Sequence, residues 1–162
     1  MRETVLSATI LAIALTGDAL LYVVLPAHAA NSGVDLELVG VLLSANRIIR
    51  IFGYGAVVAI GERLGTRRLS LLADSAAAAT TFTYGFGSGF AQLLAGRLGW
   101  GLAFAALNLT SLVYAASVKE SPVRSVGFAS AIRQSGPTLA MAGGAALVPF
   151  IGPQGIFVRW AP

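Results

Sequence analysis

SANRIIRIF, residues 44–52, decides how this chain is read. Arg47 and Arg50 stand one helical turn apart, inside an apolar run that reaches back to Val39 and forward to Ile60. An arginine at the centre of a membrane helix costs about 2.5–3.5 kcal/mol on insertion scales. A run that carries two must turn them away from hydrocarbon, toward protein or a wet cavity. Residues i and i+3 share one helix face. The pair, with Asn46 and Tyr54 on the same side, therefore marks out a polar flank on an otherwise apolar helix.

Composition fixes the setting. The 162 residues are 56% hydrophobic and only 11% charged, whereas an ordinary soluble domain carries about 25% charged residues. This is the balance of a membrane protein, and the lipid bilayer is its first expected partner. There are no cysteines, which excludes a disulfide framework, thiolate metal ligands and a cysteine nucleophile. The net charge of +4 does not describe a nucleic-acid surface, because the arginines are spread along the chain and several fall inside apolar segments. No nucleic-acid partner is expected.

A spanning helix needs roughly 20 apolar residues, and five such segments can be drawn. They cover residues 5–27, 38–60, 69–86, 90–117 and 126–151. The spacers are HAANSGVDLE, the basic loop Gly61–Arg68 (GERLGTRR), the glycine-rich turn GFGSG and VKESPVRS. After the fifth helix, GPQGIFVRWAP turns and starts another apolar run, so the start of a sixth helix is expected there. The expected fold class is an all-α polytopic membrane protein of five transmembrane helices plus the start of a sixth. Ala27-His28-Ala29 mimics a signal-peptide cleavage site, but the apolar run before it is too long and Asp18 interrupts it. Helix 1 is read as a retained span.

Orientation follows from Lys and Arg. Arg2, the group Arg63, Arg67 and Arg68, and the pair Lys119 and Arg124 occupy alternate ends; the opposite turns carry only Arg159. The positive-inside rule places the amino terminus in the cytoplasm. The Ala-, Gly-, Leu- and Arg-rich composition suggests a bacterial inner (plasma) membrane.

Within the spans, Asp18, Arg47, Arg50, Arg97 and Arg133 are the charges that need explaining. Asp18 is deep enough to meet Arg47 and Arg50 if helices 1 and 2 are neighbours. A buried Asp–Arg lock would fix helix packing. Alternatively, Asp18, Arg47, Arg50 and Arg97, with Arg133 as an addition, line a cavity that binds an anion or relays a proton. The excess of arginines over one aspartate favours the cavity, and the two readings are compatible. Gly136, Ala140 and Gly144 form a small-residue stripe for helix packing, and Pro137 beside it is a candidate kink. His28 reads as a solvated turn residue and Trp100 as packing. Asn108-Leu109-Thr110 matches a glycosylation pattern but falls inside helix 4. No catalytic triad, zinc spacing or P-loop is present, so no enzyme activity, cofactor or metal is expected.

The segment Gly61-Glu62-Arg63-Leu64-Gly65-Thr66-Arg67-Arg68 resembles the loop signature between helices 2 and 3 of the major facilitator superfamily (MFS) of transporters. Glu62 stands at the acidic position, Arg63 at the basic one and Gly65 at the turn glycine. Arg97-Leu98-Gly99-Trp100-Gly101 is similar to that family's R-x-x-Q-G element, with Trp100 in place of Gln and Asp18 as the helix 1 acid. Gly127, Gly136 and Gly144 fit the antiporter glycine–proline signature in part. The resemblance covers nearly all of residues 1–162 and implies the amino-terminal bundle of an MFS fold, a partial domain cut at the start of helix 6. It implies secondary transport of a small solute by alternating access, with an organic anion the class suggested by the positive charge. Glu62, Arg63, Gly65, Arg67 and Arg68 would form the cytoplasmic gate. Missing carboxy-terminal helices or a second chain would complete the pathway. The alternative is a truncated or accessory membrane protein without transport activity of its own.

Overall fold

The computed structural model describes residues 2–27, 33–86, 89–119 and 121–151, without the side chains of residues 27, 85, 144–149 and 151. His28, part of GFGSG, Arg159 and the expected start of helix 6 lie outside the described residues. Five helices follow in order: α1 (Arg2–Ala27), α2 (Leu36–Leu64), α3 (Thr66–Phe86), α4 (Phe90–Ala116) and α5 (Pro122–Ile151). No strand occurs among the described residues.

Helices α1, α2, α3 and α5 are longer than the apolar runs suggest, because backbone hydrogen bonding continues into the polar flanks, while α4 matches its run to within a residue. The largest correction concerns Gly61–Arg68, expected as a loop. Glu62 and Arg63 finish α2, while Arg67 and Arg68 lie in the first turn of α3. The whole break is Gly65, at φ 79° and ψ 157°, a region that is essentially glycine-only. Its N–H caps α2 by donating to the Gly61 carbonyl at 2.9 Å, and its own carbonyl accepts from Leu69 N–H at 3.1 Å. One glycine thus turns the chain where a basic loop of eight residues was expected.

Three helices, α1, α2 and α4, are long and apolar enough to cross a membrane. The expectation of five spans is met to that extent; α3 and α5 are equally continuous but more polar. Their hydroxyls are nonetheless largely satisfied within the helix. Thr80, Thr81 and Thr138 each donate at 2.8 Å to a carbonyl one turn back, as do Ser75 and Ser135 at 3.0 and 2.7 Å. Such back-bonding lets Ser and Thr sit in apolar surroundings without an orphaned donor.

Helix α4 is the hub, packed on α2, α3 and α1 and more lightly on α5, while α1 also seats along α5. Small residues set these approaches. A Cβ at Gly96 would meet the Thr83 hydroxyl and the Tyr84 ring, and one at Gly99 would meet Thr80, all on α3. At Gly101 it would strike the backbone of Asn46 on α2. Gly136 on α5 sits directly on the Ala12 carbonyl and the Thr16 hydroxyl of α1, and Ala140 is buried one turn on. The surroundings of Gly144 lie outside the described side chains. Helix α5 runs through Pro137 without interruption.

The core is a layer of Leu11, Leu20, Leu42, Ala105, Leu107 and Trp100 between α1, α2 and α4. Large apolar side chains also cover the outside: Ile48, Ile51 and Phe52 on α2, and Leu71 and Leu72 on α3, are exposed. In water that surface would be costly; against lipid it is the expected exterior. Helices α2 and α5 make no close backbone approach among the described residues, which leaves a cleft between them floored by α4.

Candidate functional site

The polar residues of the spans fall into two groups, one buried among α1, α2 and α4 and one in the cleft between α2 and α5. The first is a network around Arg97, which is fully buried on α4. Its Nη1 donates to Asp18 Oδ1 of α1, the one ion pair among the described residues. Nη2 donates to the Tyr22 hydroxyl at 3.2 Å, and Nε donates to the Leu42 carbonyl of α2, also at 3.2 Å. Asn46, with no exposed surface, donates to the same Asp18 oxygen at 3.4 Å, and Tyr22 donates to the Leu43 carbonyl at 3.1 Å. Three helices are tied at one point, and Asp18, Tyr22, Asn46 and Arg97 each find a partner there, as burial requires.

Asp18 would meet Arg47 and Arg50 only if α1 and α2 were close neighbours; α1 packs more extensively on α4 than on α2, and Asp18 takes Arg97, the partner that the resemblance set beside it. Arg47 is exposed on the flank of α2, its guanidinium carbon 5.9 Å from the centre of the Tyr22 ring. Arg50 lies half-buried over the Phe104 ring at 4.4 Å and donates through Nε to the Asn46 carbonyl at 3.0 Å. Phe104 in turn stacks on Trp100, centroids 5.5 Å apart. A guanidinium on an aromatic face gains about 0.5–2 kcal/mol, most when shielded from water.

The second polar group lies in the cleft. Arg133 of α5 donates to Asn108 Oδ1 at 2.5 Å, and Asn108 Nδ2 donates to the Tyr54 hydroxyl at 3.2 Å. This links α5 through α4 to α2. Sequence reading passed over Asn108, set aside as an unusable glycosylation pattern, and treated Tyr54 only as a neighbour of the arginines. The available signal was spacing: Arg97, Phe104 and Asn108 recur on one α4 face, as Asn46, Arg50 and Tyr54 do on α2. From Arg97 to Asn108 is 11 residues, about 16 Å along the axis, or roughly half the hydrocarbon thickness.

The expected gate residues lie elsewhere. Glu62, Arg63, Arg67 and Arg68 are exposed around the α2–α3 turn. Glu62 lines a cavity of about 250 Å³ between α2, α3 and α4, whose walls include Val58, Leu69, Leu109 and Val113. That cavity is separate from the Arg97 network. No group of acidic or histidine side chains able to hold a metal occurs among the described residues.

No protein-family model, curated protein or solved structure matches this chain. The geometry therefore stands as the ground for a functional reading.

Proposed function

We propose that the chain is the amino-terminal bundle of a secondary transporter of the MFS type. The cleft between α2 and α5 would be one wall of the route taken by a small solute across a bacterial inner membrane. The observation that carries this reading is Arg47. It stands near the middle of an apolar helix and is exposed on the bundle surface. Facing lipid it would cost several kcal/mol; facing a water-filled route it costs little and attracts anions. Further helices, in the same or a second chain, would form the opposite wall. The break at Gly65, flanked by Glu62, Arg63, Arg67 and Arg68, supports a hinge with charged contacts at the cytoplasmic end.

Arg47 gives a clean test because it is exposed and, among the described residues, its guanidinium reaches no closer partner than the Tyr22 ring, 5.9 Å away. In vesicles carrying the protein in its native membrane, uptake of a labelled panel of small organic acids is expected above vesicles that lack it. Arg47→Ala should reduce that uptake to background, with the amount and thermal stability of membrane-inserted protein unchanged. Uptake by the variant equal to that of the parent would remove Arg47 from the route. No uptake of any solute by the parent would favour a membrane protein without transport activity.

A further inference from the structure

The charge balance of the cleft is uneven. Arg97 already takes Asp18, the one ion pair among the described residues. Arg50 and Arg133 have no acidic partner there, and each is only half-buried. Arg50 uses Nε on the Asn46 carbonyl and rests its face on Phe104, while its two terminal nitrogens have no hydrogen-bond partner among the described residues. Arg133 uses Nη1 on Asn108, which holds the guanidinium against α4. The Tyr54 hydroxyl accepts from Asn108 and keeps its own proton to donate, with no acceptor among the described residues.

Arg50 and Tyr54 are one turn, about 6 Å, apart on α2, and Asn108 links Tyr54 to Arg133. The donors belong to α2 and α5, which do not touch, and are joined across the floor by Asn108 of α4. Two cations, each anchored by one hydrogen bond and each with donors to spare, have no ion-pair partner among the described residues. Hydrogen bonds from guanidinium to carboxylate or phosphate are among the strongest a site can make.

We propose that Arg50, Tyr54, Asn108 and Arg133 form a binding site for a small dianion, such as a short dicarboxylate. Arg50 and Arg133 would each take one anionic group, Tyr54 would donate to the ligand, and Asn108 would position Arg133. Asp18 and Arg97 lie outside this site as a packing lock. The inference rests on the transport reading for its meaning, but its test does not depend on transport.

The experiment is thermal unfolding of the purified full chain in detergent, titrated with succinate, with butyrate and with sodium chloride at matched ionic strength. Succinate is expected to raise Tm saturably, as a ligand of the folded state must, while butyrate and salt do so weakly or not at all. Arg50→Gln and Arg133→Gln should each weaken the apparent succinate affinity by about tenfold or more, the value of a hydrogen bond to a charged group. Should either variant fail to fold, Tyr54→Phe, which removes only a hydroxyl, is expected to lower the affinity by several-fold. Equal stabilisation of parent and variants would overturn the site while leaving the route intact. Absence of any succinate effect on the parent would overturn it as well, and uptake of a monoanion or neutral solute in vesicles would then keep the transport reading alive.

Discussion

Asp18→Asn is expected to destabilise the bundle by about 3–5 kcal/mol, the cost of leaving a buried charge without its partner. The size follows from the position of Arg97, whose side chain is fully buried between α1, α2 and α4. Asparagine keeps the shape and one hydrogen-bond acceptor, so the loss reports charge and not a cavity. A second substitution gives the result its meaning. Arg97→Gln added to Asp18→Asn removes the stranded cation, and the double variant should be more stable than Asp18→Asn alone. Thermal unfolding in detergent measures both, and for a chain of this length the single variant should lose on the order of 10 °C in Tm. A double variant no better than the single one would mean that Arg97 is held by Tyr22 and the Leu42 carbonyl, with Asp18 incidental.

Gly136→Ala is expected to be the most damaging single-methyl change. A Cβ there would overlap the backbone carbonyl of Ala12 and press on the Thr16 hydroxyl. Backbone cannot move aside as a flexible side chain can, so α5 must lift from α1 along its length. Overpacking of this kind costs about 1–3 kcal/mol, with Gly136→Val worse again. The control lies on the same helix: Gly127 has nothing within 4 Å of the equivalent position. Gly127→Ala should therefore be neutral or stabilising by about 0.5–1 kcal/mol, the helix preference of alanine over glycine. Comparing the two Tm values isolates the α1–α5 contact from general helix propensity. If both variants melt alike, the close approach at Gly136 is not a feature of the folded protein.

How much of this was legible beforehand depends on the physics each feature uses. Apolar run length revealed five helices, because bilayer thickness sets a length that sequence shows directly. It misjudged the α2–α3 connection, because charge near a helix end looks like a loop although backbone bonding ignores it; only Gly65 was the true break. The spacing of Arg47 and Arg50 placed them on one polar flank of α2, where the structure has Arg47 exposed and Arg50 half-buried. Periodicity alone did not give the partner of Asp18; the likeness of Arg97-Leu98-Gly99-Trp100-Gly101 to the R-x-x-Q-G element set it beside Arg97, where the structure pairs the two. Periodicity shows which face of a helix is polar, not which neighbour that face meets, and Gly96, Gly99 and Gly101 bring α4 into the centre. Asn108 was missed for a related reason, and Tyr54 was read only as part of the polar flank of α2. The two acquire a shared role only when α2, α4 and α5 bring them together.

If α2 lines a transport route, the flank bearing Arg47 and Tyr54 faces water inside the membrane while its opposite flank faces lipid. The chain contains no cysteine, so single-cysteine variants report one position each. Arg47→Cys, Tyr54→Cys, Ile48→Cys and Phe52→Cys would be treated in permeabilised native membranes with a charged, membrane-impermeant thiol reagent. Reaction needs the thiolate, which forms in water and not in hydrocarbon. Labelling is expected at 47 and 54, and protection at 48 and 52, where Ile48 and Phe52 point outward. Protection at all four positions, or labelling at all four, would contradict that arrangement.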